Sequence, residues 1–137
     1  MSLFNIFSIS GSAMSAESVR LNVTASNLAN AQSVGDSEEN TYHARSPVFA
    51  AMMKSFQGDG VSYGVEIKDV VDSQAPLETR YQPDHPMANG EGNIFLSNVN
   101  VVDEMANMIS ASRAYQSNVE VLNTSKQLMM ATLKLGQ

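Results

Sequence analysis

Apolar residues recur every seven positions at both ends of the chain. Near the start, Phe7, Met14, Leu21 and Leu28 share one line, and Gly11, Ser18 and Ala25 fill the alternate positions. Near the end, Met108, Tyr115, Leu122 and Met129 repeat in the same way, with Met105, Ser112, Val119, Lys126 and Leu133 between them. Such a repeat is the register of a helix that packs along its length, so a helical arm is predicted at each end. The first arm ends around Asn27–Ala31, with Gly35 as its stop. The last opens on an Asn100 N-cap, has Asp103 and Glu104 near the positive end of the helix dipole, and closes through Lys126, Lys134 and Gly136. A helix of about 35 residues is about 50 Å long, more than the width of a small domain.

Between the arms the period changes to two. Val61, Tyr63, Val65 and Ile67 alternate with Ser62, Gly64, Glu66 and Lys68, which predicts a strand with one apolar face. Ile94-Phe95-Leu96 and Thr79-Arg80-Tyr81 are shorter strand candidates, and Pro47-Val48-Phe49 reads as an edge segment. Gly58-Asp59-Gly60 and Asn89-Gly90 are turn signals. Residues 33–41 read as an exposed loop. The predicted class is α+β. Helical arms over 1–35 and 98–137 pack as a coiled-coil-like pair and form one helical domain. A small antiparallel β-rich middle domain spans 36–97.

Charge follows the same division. The net charge of −6 lies wholly in residues 36–100, where ten acids face four bases, and all four prolines lie there too. The arms are neutral. An acidic balance argues against a nucleic-acid partner, which needs a basic face. The absence of Cys excludes disulfides and thiolate metal sites. No stretch reaches the roughly 20 apolar residues of a membrane span. The opening MSLFNIFSIS lacks the basic n-region and cleavage site of a secretory signal.

Candidate chemistry is sparse. His85 sits in Pro83-Asp84-His85-Pro86, where Asp84 suggests a metal or general-base pair, but neighbouring side chains in a turn diverge and no second ligand stands at the right spacing. His43 reads as a loop histidine. Gly58-Asp59-Gly60 lacks the Lys of a phosphate loop, and Ser8, Ser10 and Ser12 lack a nucleophile elbow. The expectation is no enzyme, no cofactor, no metal and no small-molecule substrate.

Two long helices on a short chain must bury their seams somewhere. Seams of Ala, Ser and Met bury little area per turn, so the arms would order fully only among neighbours; Met suits packing against non-identical partners. An antiparallel helical hairpin on a small sheet, stable alone, is the alternative. The expected seam residues are Phe7, Met14, Leu21 and Leu28 in the first arm and Met108, Tyr115, Val119, Leu122 and Met129 in the last. Arg113 is a candidate interhelix donor or a solvated charge. Asn27 and Asn30 are candidates to cap or bridge helix ends, or are loop asparagines.

The run Leu21-Asn22-Val23-Thr24-Ala25-Ser26-Asn27-Leu28-Ala29-Asn30-Ala31 resembles the N-terminal signature of the flagellar rod and hook axial protein family. The closing segment is similar too. Asn98-Val99-Asn100-Val101-Val102-Asp103-Glu104-Met105 leads into Ser112-Arg113-Ala114-Tyr115-Gln116, then Asn118 through Thr124, and finally Leu133-Lys134-Leu135-Gly136-Gln137. Tyr42 through Phe49, Ala75-Pro76 and Tyr81 through Pro86 extend the likeness to nearly the full length. The resemblance implies a structural subunit of the proximal rod, exported uncleaved by the flagellar type III apparatus and polymerised through its terminal helices into the periplasmic drive shaft that carries torque from motor to hook. It implies partners among copies of itself and the rod proteins FlgB, FlgF, FlgG and FliE. Another rod subunit of the same family, or a stand-alone helical adaptor or export chaperone, is the alternative.

Overall fold

The chain builds two long helices and two small sheets. A computed structural model describes residues 3–55 and 61–135. Helix α1 (Leu3–Ala29) is followed by strands β1 (Val34–Gly35), β2 (Arg45–Ser55), β3 (Val61–Asp72), β4 (Glu78–Tyr81) and β5 (Asn93–Leu96), and then by helix α2 (Val101–Leu135). This is the α+β arrangement expected, with terminal helices packed on each other and an antiparallel β region between them.

The helices run antiparallel. Arg20 of α1 meets Asn107 of α2, and Asn27 meets Glu104, so advancing along one helix retreats along the other. The start of α2 is capped as its sequence requires: Asn100 Oδ1 accepts from Val102 N at 3.0 Å, and Asn100 O accepts from Glu104 N at 3.0 Å. At the end of α1, Asn30 N and its side-chain Nδ2 both donate to Ser26 O, at 3.1 and 2.8 Å, which closes the last turn. Gly35 does not stop the helix. It lies in β1 opposite Phe95, where a Cβ would strike the side chain and backbone of Thr41.

Strands β1, β5 and β4 form a three-stranded antiparallel sheet with β5 in the middle. Ile94 of β5 is 2% exposed and is the apolar centre of this layer. The turn before β5 is organised by Asn89, whose Oδ1 accepts from Glu91 N and Asn93 N, each at 2.9 Å. Gly92 has a φ of +79°, and a Cβ there would lie 2.8 Å from the Tyr81 ring. Residues 33–41 are only in part the exposed loop expected: Asp36 and 38–40 are exposed, but Val34–Gly35 form β1. Thr41 is buried, and its backbone N and Oγ1 donate to Ser37 O at 3.2 and 2.7 Å, so the segment closes on itself.

Strands β2 and β3 form a long separate ribbon. Only Pro47–Phe49 of β2 was legible as strand, because Ala50-Ala51-Met52-Met53 has weak strand preference; pairing with β3 extends it. The turn signal at Gly58–Gly60 lies outside the described residues, as does Gly136. The ribbon lies along α1. Arg45 sits beside Asn27, and Ser12 Oγ accepts from Val65 N at 3.2 Å. The lengths agree: fifteen helical residues rise about 22 Å, and seven strand residues, from Arg45 to Met52, about 23 Å. Gly64 makes the approach possible, since a Cβ there would be 3.0 Å from Ser12 Oγ. The alternating apolar face of β3 turns away from the helix at its start, where Tyr63 is 58% exposed and Val65 is exposed too, while Ile67 is half-buried. The small residue faces the helix and the large ones face out, because only the Gly64 side lets the two backbones come close.

Candidate subunit interface and the polar node that holds it

The interior between the helices is small and polar. Among the described residues, Ala16 and Ala111 on the helices and Ile94 in the sheet are the buried apolar side chains, whereas Asn5, Ser10, Thr24, Asn27 and Ser125 on the helices, with Thr41 and Ser97 beside the sheet, are buried polar ones. On α2 the inward line runs through Glu104, Met108, Ala111, Tyr115, Asn118, Leu122, Ser125 and Met129, all buried or half-buried. Spacings of four and three alternate along it, as in a coiled-coil seam. Met108, Tyr115, Leu122 and Met129 therefore lie on the side facing α1. The alternate positions are shifted by one residue from those read in the sequence: Ala111 and Ser125 point inward, while Met105, Lys126 and Leu133 are exposed. Val119 is half-buried at the margin. On α1, Phe7, Met14, Leu21 and Leu28 are half-buried, and the alternates Gly11, Ser18 and Ala25 fall on the exposed stripe with Ser15, Asn22 and Ala29. On α2 the small side chains of Ala111 and Ser125 are the most deeply buried of the inward line, because they let two helical backbones approach where a bulky one would hold the pair apart.

Asn27 joins three elements. It is 1% exposed. Its Nδ2 donates to Arg45 O at 2.8 Å and to Glu104 Oε2 at 3.1 Å. Its Oδ1 accepts from Tyr42 OH and Arg45 N, each at 2.9 Å. All four hydrogen-bonding positions of the amide are thus filled, by the start of α2, the start of β2 and the segment before it. Tyr42 OH also meets Ser26 Oγ at 3.2 Å, and the Arg45 guanidinium stands 5.5 Å from the Tyr42 ring centroid while Nε donates to Asp72 Oδ1 at 3.0 Å. Two turns earlier on α1, Arg20 Nη2 donates to Asn107 Oδ1 at 3.2 Å. Arg20, rather than Arg113, is the interhelix arginine; Arg113 is exposed on α2. A second asparagine, Asn98, accepts from Ala44 N at 2.7 Å and donates to Ala75 O at 2.8 Å, which fixes both chains at the base of the ribbon to the segment leading into α2. These amides explain the asparagines in the two sequence runs; what no periodicity revealed was their partners.

The outer surface is apolar to an unusual degree. Seventeen large hydrophobic side chains are exposed among the described residues, eight of them on α2 (Val102, Met105, Ile109, Leu128, Met130 and Leu133 among them), seven on the two faces of the ribbon, and Tyr81 and Met87 in β4 and the turn after it. The chain exposes 9222 Å², whereas a compact monomer of 14.8 kDa exposes about 7,000 Å². The excess is of the size that a permanent subunit contact covers. No cluster of three metal-capable side chains occurs among the described residues, and no described helix is long and apolar enough to cross a membrane. His85 Nδ1 accepts from Met87 N at 3.1 Å, a turn contact. The His43 ring nitrogens face Ser73 O at 3.2 Å and Glu38 O at 3.3 Å, and so join the 33–41 segment to the end of β3.

Residues 7–35 match the family model for flagella basal body rod protein, and residues 91–135 that for the flagellar basal body rod FlgEFG protein C-terminal region. The sequence is 50% identical to the flagellar basal-body rod protein FlgC of Escherichia coli O157:H7 and to that of Salmonella typhimurium strain LT2, over 100% of both chains in each case. It is 39% identical to the FlgC of Buchnera aphidicola subsp. Baizongia pistaciae, again over 100% of both.

Proposed function

Since the chain belongs to the flagellar basal-body rod protein FlgC family, and is a structural subunit of the basal-body rod, we propose that it polymerises through its terminal helices into the proximal rod and transmits torque from motor to hook. In this reading the outer face of the helix pair is the subunit contact. Phe7, Met14, Leu21 and Leu28, with Met108, Tyr115, Val119, Leu122 and Met129, hold the pair in the shape that presents it. Its neighbours are other rod and basal-body components: copies of itself and FlgB, FlgF, FlgG and FliE. It reaches the periplasmic rod through the type III export apparatus with its N-terminus uncleaved, and it acts without catalysis.

One observation carries the reading: three apolar side chains are buried while seventeen large ones stay exposed among the described residues. That imbalance is what a subunit completed by its neighbours shows, because surfaces this apolar mark interaction sites. Neutral helices also desolvate at little electrostatic cost, whereas the acidic segment 36–100 suits a polar or solvated position.

The test is a Val121→Asp variant in a strain deleted for this chain. Val121 is 43% exposed on α2, so the purified variant is expected to keep its helix content, while basal bodies lack the rod and cells do not swim. Normal swimming would remove the helix surface from assembly, and a wild-type chain found dispersed in the cytosol of flagellated cells would favour an adaptor.

A further inference from the structure

With no Cys, the chain carries its sulfur as methionine thioethers alone. Two of them form a controlled pair. Met105 and Met130 both lie on α2 and are each 52% exposed. Their charge surroundings are opposite. Met130 has Lys126 one turn before it and Lys134 one turn after it, and all three line one shallow cleft on the helix surface. Residues four apart on a helix have Cβ atoms about 6 Å apart, so two ammonium groups flank the sulfur. From Val121 to Leu135 the helix carries no acidic side chain to offset them. Met105 instead follows Asp103 and Glu104, and its neighbours one turn away, Val101 and Ile109, are uncharged.

We propose that Met130 is an oxidation site selective for peroxo anions. A lone pair of its sulfur attacks the terminal peroxide oxygen of the anion. The S–O bond forms as the O–O bond breaks, and the electrons of that bond leave with the departing oxyanion. Sulfur is thereby oxidised by two electrons to the sulfoxide and the peroxide is reduced by two. With peroxymonosulfate the proton on the transferred oxygen passes to the departing sulfate, so the products are sulfoxide and bisulfate. The lysines act before any bond changes, by raising the concentration of the anion at the sulfur. Two unit charges about 6 Å away in water favour an anion about ten-fold at most, and salt screens them. The sulfoxide is polar and chiral, and such a group disrupts contacts that a flexible apolar side chain would make. That consequence for assembly rests on the rod reading, whereas the selectivity belongs to the free chain.

The purified chain is treated with limiting peroxymonosulfate or with neutral hydrogen peroxide, and the gain of oxygen at each methionine is read by peptide mass spectrometry. Hydrogen peroxide is expected to oxidise Met105 and Met130 at rates within about two-fold, as equal exposure requires. Peroxymonosulfate is expected to favour Met130 about three- to ten-fold at low salt and to lose that preference in about 1 M salt. Lys126→Gln/Lys134→Gln, at two exposed positions, removes the preference and leaves the hydrogen peroxide rates unchanged. Equal rates with the anion at low salt, a preference that salt does not weaken, or one that survives the loss of both lysines would overturn the selective site. In isolated basal bodies Met130 is expected to oxidise more slowly than in the free chain. Oxidation there at the free-chain rate would overturn the covering of this part of α2 by neighbours and leave the charge selectivity standing.

Discussion

Asn27 shows how one side chain can set the geometry of three elements. Replacing its amide strands Arg45 N, Arg45 O and one Glu104 oxygen, and leaves Tyr42 OH only its contact with Ser26 Oγ. Orphaning buried polar groups costs about 1–3 kcal/mol each, less where water enters. Asn27→Ala is therefore expected to lose about 3 kcal/mol, read by chemical denaturation, whereas Asn22→Ala on the exposed stripe of the same helix changes stability by less than about 0.5 kcal/mol. Equal effects would show that the node does not hold the fold. Asp36 acts more locally. Hydrogen bonds first from Asn40 and then from Ser37 hold its carboxyl below its ordinary value. A carboxyl depressed in the folded chain contributes stability above its unfolded value and loses it as pH falls through the folded one. Hydrogen exchange in residues 36–41 is expected to accelerate below about pH 4 in the native chain and to lose that step in Asp36→Asn. An unchanged step would assign it to another group.

The elements differ in what their spacing decides. Each helix has two heptad lines, and on α2 the one facing α1 holds Ala111, 0% exposed, and Ser125, 6% exposed. Ala111→Leu is expected to force the helices apart and cost about 1–3 kcal/mol, with a loss of helix signal on mild heating. Ile109→Leu, two residues away but 54% exposed, should change the monomer little. If Ala111→Leu stabilised the chain instead, the seam would be less closely packed than its burial states. In the ribbon, the pairing of Met52 with Gly64 and of Ala51 with Val65 splits the side chains into a face against α1 and a face outward. A two-stranded ribbon is marginal alone, so it depends on α1 for support and exposes Phe49, Tyr63 and Val65 for whatever lies outside.

At the scale of the molecule, the polar seam and large exposed area describe a part rather than a finished globule. The two interhelix contacts place Leu3 of α1 level with the region of Leu128, so the last turns of α2 extend past the described start of α1. Trypsin is expected to cut the purified chain after Lys126 and Lys134 before it cuts after Arg20, which bridges to Asn107 and is half-buried. The same sites should resist cleavage in isolated rods. Cleavage at equal rates in both forms would mean that neighbours do not cover the end of α2.

Read alone, the sequence determines the kind of each element, because caps, turns and period are local. Asn100 must cap a helix wherever α2 lies, and a period of two over Val61–Lys68 makes a strand in any surroundings. It also determines membership of the rod family, through the runs at Leu21–Ala31 and Asn98–Glu104. The tertiary structure alone decides which face of each element turns inward. Ala, Ser and Gly on one heptad line and Met, Val and Ile on another leave little hydrophobic contrast to rank them, so the choice falls to how closely backbones can approach. Close approach favours Ala111 over Met105 and Gly64 over Tyr63, and it brings Asn27 to partners 15, 18 and 77 residues away in the chain, which no local pattern encodes.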